Sequence, residues 1–173
     1  MMPETKENCS IEIYRCEHFP DCWTLEKTLM TNINAVDATL FEQDHRWWLF
    51  VNVQESNNPN WDTLNLYYSN SPLSENWTAS PCNPIVKDVK TARSAGRIFS
   101  VGNKLFRPSQ DCSVRYGYAI NFNEITQLTE TGYTEKPELT FKPPKQGNIV
   151  GTHTWNQIGD LKIIDAILRR RRS

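Results

Sequence analysis

The chain has 173 residues, so one domain with room for a real core is the default reading. Its 19 basic and 20 acidic side chains leave a net charge of −1, which provides no overall field for nucleic acid or a membrane surface. It has no apolar run of the roughly 18 residues that a transmembrane helix needs, and the opening MMPETKENCS lacks the apolar stretch of a signal peptide. The expected compartment is therefore the cytosol, with no membrane and no nucleic-acid partner.

In chain order, the first element is a hairpin over 11–29. Ile11-Glu12-Ile13-Tyr14 alternates, a Pro-containing turn spans His18 to Asp21, and Trp23 follows Tyr14 by nine positions. A second hairpin occupies 38–53. A third, over 64–79, repeats the first: Leu64-Asn65-Leu66-Tyr67-Tyr68 alternates and Trp77 follows Tyr68 by nine. Hairpins over 96–108, 117–139 and 151–165 complete the series. Asn123 to Leu128 carries a weak signal for a short helical turn, as do the residues near Ala166. Gln54 to Asp62 and Thr140 to Asn148 read as polar connectors, the second containing Lys142-Pro143-Pro144-Lys145. Residues 166–173 form a basic tail ending in Arg169 to Arg172, best read as solvated.

Three of these hairpins share one spacing. Phe41 to Trp47 aligns with Phe99 to Leu105 and with Trp155 to Leu161. Each has an apolar residue, a polar turn and a second apolar residue six positions on. The lead residues lie 58 and then 56 positions apart. A period of this length marks a blade array. The fold class expected is all-β, a partial β-propeller: an outer half-blade (11–29), two blades (38–79 and 96–139) and an inner half-blade (151–165). The two halves are complementary and could pair into one more blade. Alternatively, the halves of two chains complete each other, which makes a homo-oligomer, a dimer first, the expected assembly.

Further residues carry a resemblance. Val36-Asp37-Ala38-Thr39-Leu40-Phe41, Arg46 to Phe50, Ser94-Ala95-Gly96-Arg97-Ile98-Phe99, Arg107 to Ser113, Tyr116-Gly117, Asn121 to Ile125, Gly151 to Thr154 and Asp165 occur in order. Together they resemble the five-bladed propeller domain at the N-terminus of plant glucosamine inositolphosphorylceramide transferases and in bacterial relatives. That domain is similar in fold to glycoside hydrolases that cleave arabinosides, xylosides and fructosides. The resemblance implies a domain truncated at its N-terminal side, since roughly two blades of the family pattern are absent.

Related propellers place carboxylates on inner strands around the axis, and glycosidic cleavage needs two of them. Asp37 opens the first complete inner hairpin and is one candidate. Glu4 matches the Pro-Glu turn of the family and is the other, although it lies near a chain end. Arg97 holds the same inner-strand phase one blade on, with Gln110 and Asp111 after its hairpin. Such a set suits hydroxyl or phosphate recognition or, alternatively, a buried ion pair tying blades together. His153 is a possible titrating group. Of Trp47 and Trp48, whose rings point to opposite faces of a strand, Trp48 is the candidate for stacking on a ligand, with a place in the core as the alternative.

The five cysteines are odd in number and contain no CxxC pair, so reduced thiols are expected rather than a disulfide or metal cluster. No phosphate-binding loop, dinucleotide glycine motif or zinc spacing is present, so neither a metal nor a cofactor is expected. The function expected is a non-catalytic glycan-binding or assembly module, with a carbohydrate as its ligand. The alternative is a glycosidase or glycan-transfer-associated enzyme using axial carboxylates.

Overall fold

The computed structural model describes residues 1–54, 62–143 and 148–169. After a single 3₁₀ turn, Lys6–Asn8, the chain runs as strands β1 (Ser10–His18), β2 (Cys22–Thr31), β3 (Ala35–Gln43), β4 (Arg46–Val53), β5 (Thr63–Ser69), β6 (Thr78–Ala79), β7 (Val86–Lys87), β8 (Phe99–Val101), β9 (Lys104–Asp111), β10 (Ala119–Thr129), β11 (Gly132–Phe141), β12 (Ile149–Gly151), β13 (Trp155–Ile158), β14 (Leu161–Ile164) and β15 (Ile167–Leu168). The class is all-β, and every pairing among the described residues is antiparallel.

Two four-stranded meanders form the body. One runs β3-β4-β5-β6, with β7 also on β5; the other runs β8-β9-β10-β11. On either side in sequence stands a two-stranded hairpin, β1-β2 before and β13-β14 after. These four units pack face to face in chain order, and alternation along the strands explains how. Leu49 and Val51 of β4 point one way, into a cluster with Ile11 and Leu29 of the first hairpin. Trp48 and Phe50 point the other way, meeting Leu64, Leu66, Ile98, Ile125 and Tyr133 between the two meanders. A third cluster joins Ala95, Ile120 and Phe122 of the second meander to Trp155 of the last hairpin. The arrangement is that of a partial propeller, and among the described residues no sheet closes on itself.

Buried polar groups stitch the units together. Asn52, fully buried, donates to the carbonyls of Thr63 (2.7 Å) and Ala92 (3.1 Å) and accepts from the Ser94 amide (3.0 Å). Arg107, 1% exposed, forks onto Glu135 at 2.8 and 2.6 Å and reaches the Thr91 carbonyl at 2.6 Å.

Four expectations need correction. Asn123 to Leu128 forms no helical turn: it lies within β10, paired on both sides, because Phe122 and Ile125 supply apolar contacts to two different clusters. The residues after Ala166 form β15 against β12 rather than a helical turn. The third hairpin is offset by one residue from its sequence alignment. Two-residue turns join Gln43 to Arg46, Val101 to Lys104 and Ile158 to Leu161. The first turn residue has positive φ in each: Asp44 at 53°, Gly102 at 59°, Gly159 at 53°. The residue equivalent to Phe41 and Phe99 is thus Asn156, not Trp155. A one-residue slip exchanges faces, which is why Trp155 turns into the core against Phe122. Finally, β1-β2 and β13-β14 do not pair with each other and remain separate two-stranded sheets. Most of the first connector (55–61), part of the second (144–147) and the basic run beyond Arg169 lie outside the described residues, while Thr140 and Phe141 belong to β11 rather than to a connector.

Candidate functional site

Asp37 is the most constrained of the candidate residues. It sits in β3 with φ 51°, a left-handed conformation inside a strand. The pairing with β4 steps from Val36↔Asn52 to Thr39↔Phe50, so Asp37 and Ala38 together face one partner residue. This is a β-bulge, which re-aims a side chain and tends to mark functional positions. The carboxylate is held by the Nε of Arg93 at 2.5 Å. The Arg93 guanidinium also lies over the Tyr116 ring, 4.9 Å from its centre.

The network continues from there. Tyr116 packs on His153, ring centres 5.2 Å apart. Burial pushes the Tyr116 phenol above its ordinary range, against the pull of the Arg93 guanidinium. The Nδ1 of His153 is bonded to the Asp165 carboxylate, which also accepts from the backbone amides of His153 (2.8 Å) and Thr154 (2.7 Å). Burial opposes ionisation of Asp165 most strongly, yet these two amides and the imidazole together hold it below its usual range. Cys112 also faces this network, but burial raises its thiol pKa, so it stays protonated.

Two hollows border Asp37. A small cavity of about 150 Å³ lies between Glu4, the residues around it, and Ala35 to Ala38. A larger cleft of about 620 Å³ is lined by Asp37 to Leu40, Trp47, Ser94 to Arg97, Thr154 and Asn156, with Ile13 and the first two residues at one side. The cleft lies where the three repeated hairpins start. Thr39, Arg97 and Thr154 each precede the left-handed turn residue of their hairpin by five positions, and all three line it. Asn156 ties two of the hairpins, accepting the Arg97 amide at 3.1 Å. Gly96, with φ +139°, is required by close packing: a Cβ there would stand 1.9 Å from the Trp155 carbonyl oxygen.

The structure brings Glu4, Asp37 and Arg97 to these hollows, and sets His153 behind them through Tyr116. It does not bring the other candidates there. Trp48 is 4% exposed and packs with Tyr68 in the core between the meanders, so it offers no face to a ring. Its neighbour Trp47 is the one at the cleft. Gln110 is buried and donates to the Ser94 carbonyl at 2.9 Å. Asp111 is also buried and caps a turn, accepting from the Ser113 amide and hydroxyl. Thr39 and Thr154 lie inside the segments that carry the resemblance without being singled out there, and Arg93 and Asn156 lie outside those segments. The repeat phase, with the third hairpin corrected by one residue, points to Thr39 and Thr154 as the equivalents of Arg97; it does not point to Asn156, whose equivalents Phe41 and Phe99 do not line the cleft. Among the described residues, no group of three or more His, Cys, Asp or Glu side chains is placed to hold a metal ion. All five cysteines are free.

Packed antiparallel sheets and repeated hairpins with a cleft at their convergence define the class: a blade-repeat, all-β domain. The family described as "Glucosamine inositolphosphorylceramide transferase 1, N-terminal" matches residues 1–165, and the chain belongs to it. It is similar to glucosamine inositolphosphorylceramide transferase 1 of Oryza sativa subsp. japonica, at 37% identity over 161 residues, or 90% of this chain. The Arabidopsis thaliana protein of the same name is 31% identical over 161 residues, or 91% of this chain. The chain spans only 21% and 20% of the length of these two relatives. No solved structure matches it.

Proposed function

We propose that this chain recognises a glycan in the cleft bounded by Thr39, Arg97 and Thr154, as a binding module. The convergence of three hairpins on one cleft, where Thr39, Arg97, Thr154 and Asn156 stand among apolar residues such as Leu40 and Trp47, is the observation that carries this reading. The Thr39 and Thr154 hydroxyls give their protons to the Asp37 carbonyl (3.2 Å) and the Asp165 carboxylate (3.1 Å) and keep lone pairs that can accept from sugar hydroxyls, while the Asn156 amide nitrogen can donate to them. Trp47, half-buried at the cleft edge, supplies an aromatic surface against which a sugar ring can lie. The name of the rice and Arabidopsis relatives refers to glucosamine and an inositolphosphorylceramide, which supports a glycan-related role.

A second reading rests on a separate observation: Glu4 and Asp37 line the same small cavity, as two carboxylates flanking a glycosidic bond would. Against it, Asp37 is already committed to Arg93, and Glu4 is exposed on a segment with no strand pairing. Calorimetric titration with a panel of mono- and oligosaccharides, alongside hydrolysis of the corresponding aryl glycosides, separates the two. The binding reading expects heat without turnover, and loss of the heat in a Thr39→Val/Thr154→Val double variant. Turnover that disappears in Asp37→Asn would establish the catalytic reading instead.

A further inference from the structure

The last hairpin lacks something that its two counterparts have. Arg46, Lys104 and Leu161 each follow a two-residue turn, so β4, β9 and β14 are equivalent strands. On its far edge β4 carries β5, and β9 carries β10. Among the described residues, β14 pairs with β13 alone. Burial follows the same difference. Trp48 and Leu49 of β4 are 4% and 0% exposed, whereas Ile163 and Ile164, at the same two positions of β14, are 58% and 40% exposed. The register places Ile158, Leu161 and Ile163 on the face opposite Trp155, and all three are exposed. The one charged side chain of β14, Lys162, lies on the Trp155 face. This strand therefore carries the aliphatic side chains of a blade interior beside an open edge and on a bare face, a combination that folded sheets normally cover.

The first hairpin has the reverse deficit. β1 pairs with β2, as an outer strand does, but among the described residues no inner strand stands on its other edge. The backbone bonds on that side are an exchange between Met1 and Tyr14, at 2.6 and 2.8 Å. Within one chain the two hairpins stay apart, each packed on a different meander. We infer that a second copy of this chain supplies the missing strand. β1 of one copy pairs with β14 of the other, and a two-fold axis repeats the contact, so the dimer contains two completed blades. The partner's first meander, which packs on its own first hairpin through the Leu49 and Val51 cluster, then lies over Ile158, Leu161 and Ile163. Self-pairing of two β14 strands would satisfy that edge alone and leave β1 open, so the complementary pairing is favoured. The inference is independent of the glycan-binding reading.

The test is sedimentation velocity on the full chain across the micromolar range. The parent is expected to run as a dimer. Ile163→Lys should weaken the dimer at least about tenfold, because the added ammonium would be buried without a counter-charge. Ile163 is exposed in the single chain, so the variant should keep its circular dichroism and cooperative unfolding. Leu139→Lys, at an exposed apolar site on the outer strand of the second meander, should leave the dimer intact. Hydrogen exchange then locates the contact. Amides of both β1 and β14 should be more protected in the parent than in Ile163→Lys. A parent that stays monomeric, or a dimer that survives Ile163→Lys, overturns the inference. So does protection gained in β14 alone, which would mean that this strand pairs with itself. Growth into ever larger species with concentration would overturn the two-fold symmetry, since it marks a head-to-tail chain.

Discussion

Asp37 occupies a conformation that non-glycine residues rarely adopt, and it remains there because Arg93 holds its carboxylate. Asparagine tolerates the same backbone but cannot neutralise the guanidinium. Asp37→Asn should therefore cost about 1–3 kcal/mol in urea unfolding, with Arg93 left unpaired. A change below a few tenths would mean that the ion pair does not stabilise the bulge. Asp165 gives a pH-dependent counterpart. Its pKa is lowered on folding, so its contribution is present above the ordinary 3.8 and is lost as pH falls through the folded value. Asp165→Ala strands the amides of His153 and Thr154 and should cost about 1–3 kcal/mol at neutral pH. The gap between variant and parent should narrow when unfolding is repeated well below 3.8. A constant gap would remove the carboxylate charge from the account.

At the scale of elements, the turn-first residues Asp44, Gly102 and Gly159 define the true register of the repeat. Gly102 and Gly159 face open space, so a methyl group there meets only backbone strain. Gly102→Ala and Gly159→Ala should each cost about 1–2 kcal/mol by chemical denaturation, in near-equal amounts. A large difference would show that the two hairpins are not equivalent. The hairpins themselves were legible in sequence because alternation and turn residues are local signals. The recurrence of Trp23 and Trp77 was legible for the same reason: each indole donates to the carbonyl three residues back, of Pro20 and of Ser74. The register of the last hairpin was not legible. Trp155 and Leu161 mimic the apolar pair of the other copies, while the positive φ that sets the register is invisible in composition. Asn123 to Leu128 was misread for a related reason. Its 3.6-like spacing of Ile125 and Leu128 is imposed by bulges in a strand whose two faces serve different clusters.

For the whole molecule, what could be read in advance was the sheet-forming plan, not which of the candidate residues stay accessible once the sheets pack. Gln110 and Asp111 look like cleft residues on paper, yet stacking the units face to face buries them. Arg107 is buried as well, where Glu135 supplies its counter-charge. That pair lies between β9 and β11 with little contact to solvent. Glu135→Gln should cost about 3–5 kcal/mol, since it leaves a buried guanidinium without its counter-charge. Differential scanning calorimetry showing an unchanged midpoint would contradict the burial of that pair.

Nothing tests the central claim, one shared glycan site at the convergence of three hairpins, as directly as mapping amide shifts in a ¹⁵N-labelled sample titrated with a bound sugar. The account predicts perturbations in three separate segments at once: Asp37 to Leu40, Gly96 to Arg97, and Thr154 to Asn156. Shifts confined to one hairpin would contradict it.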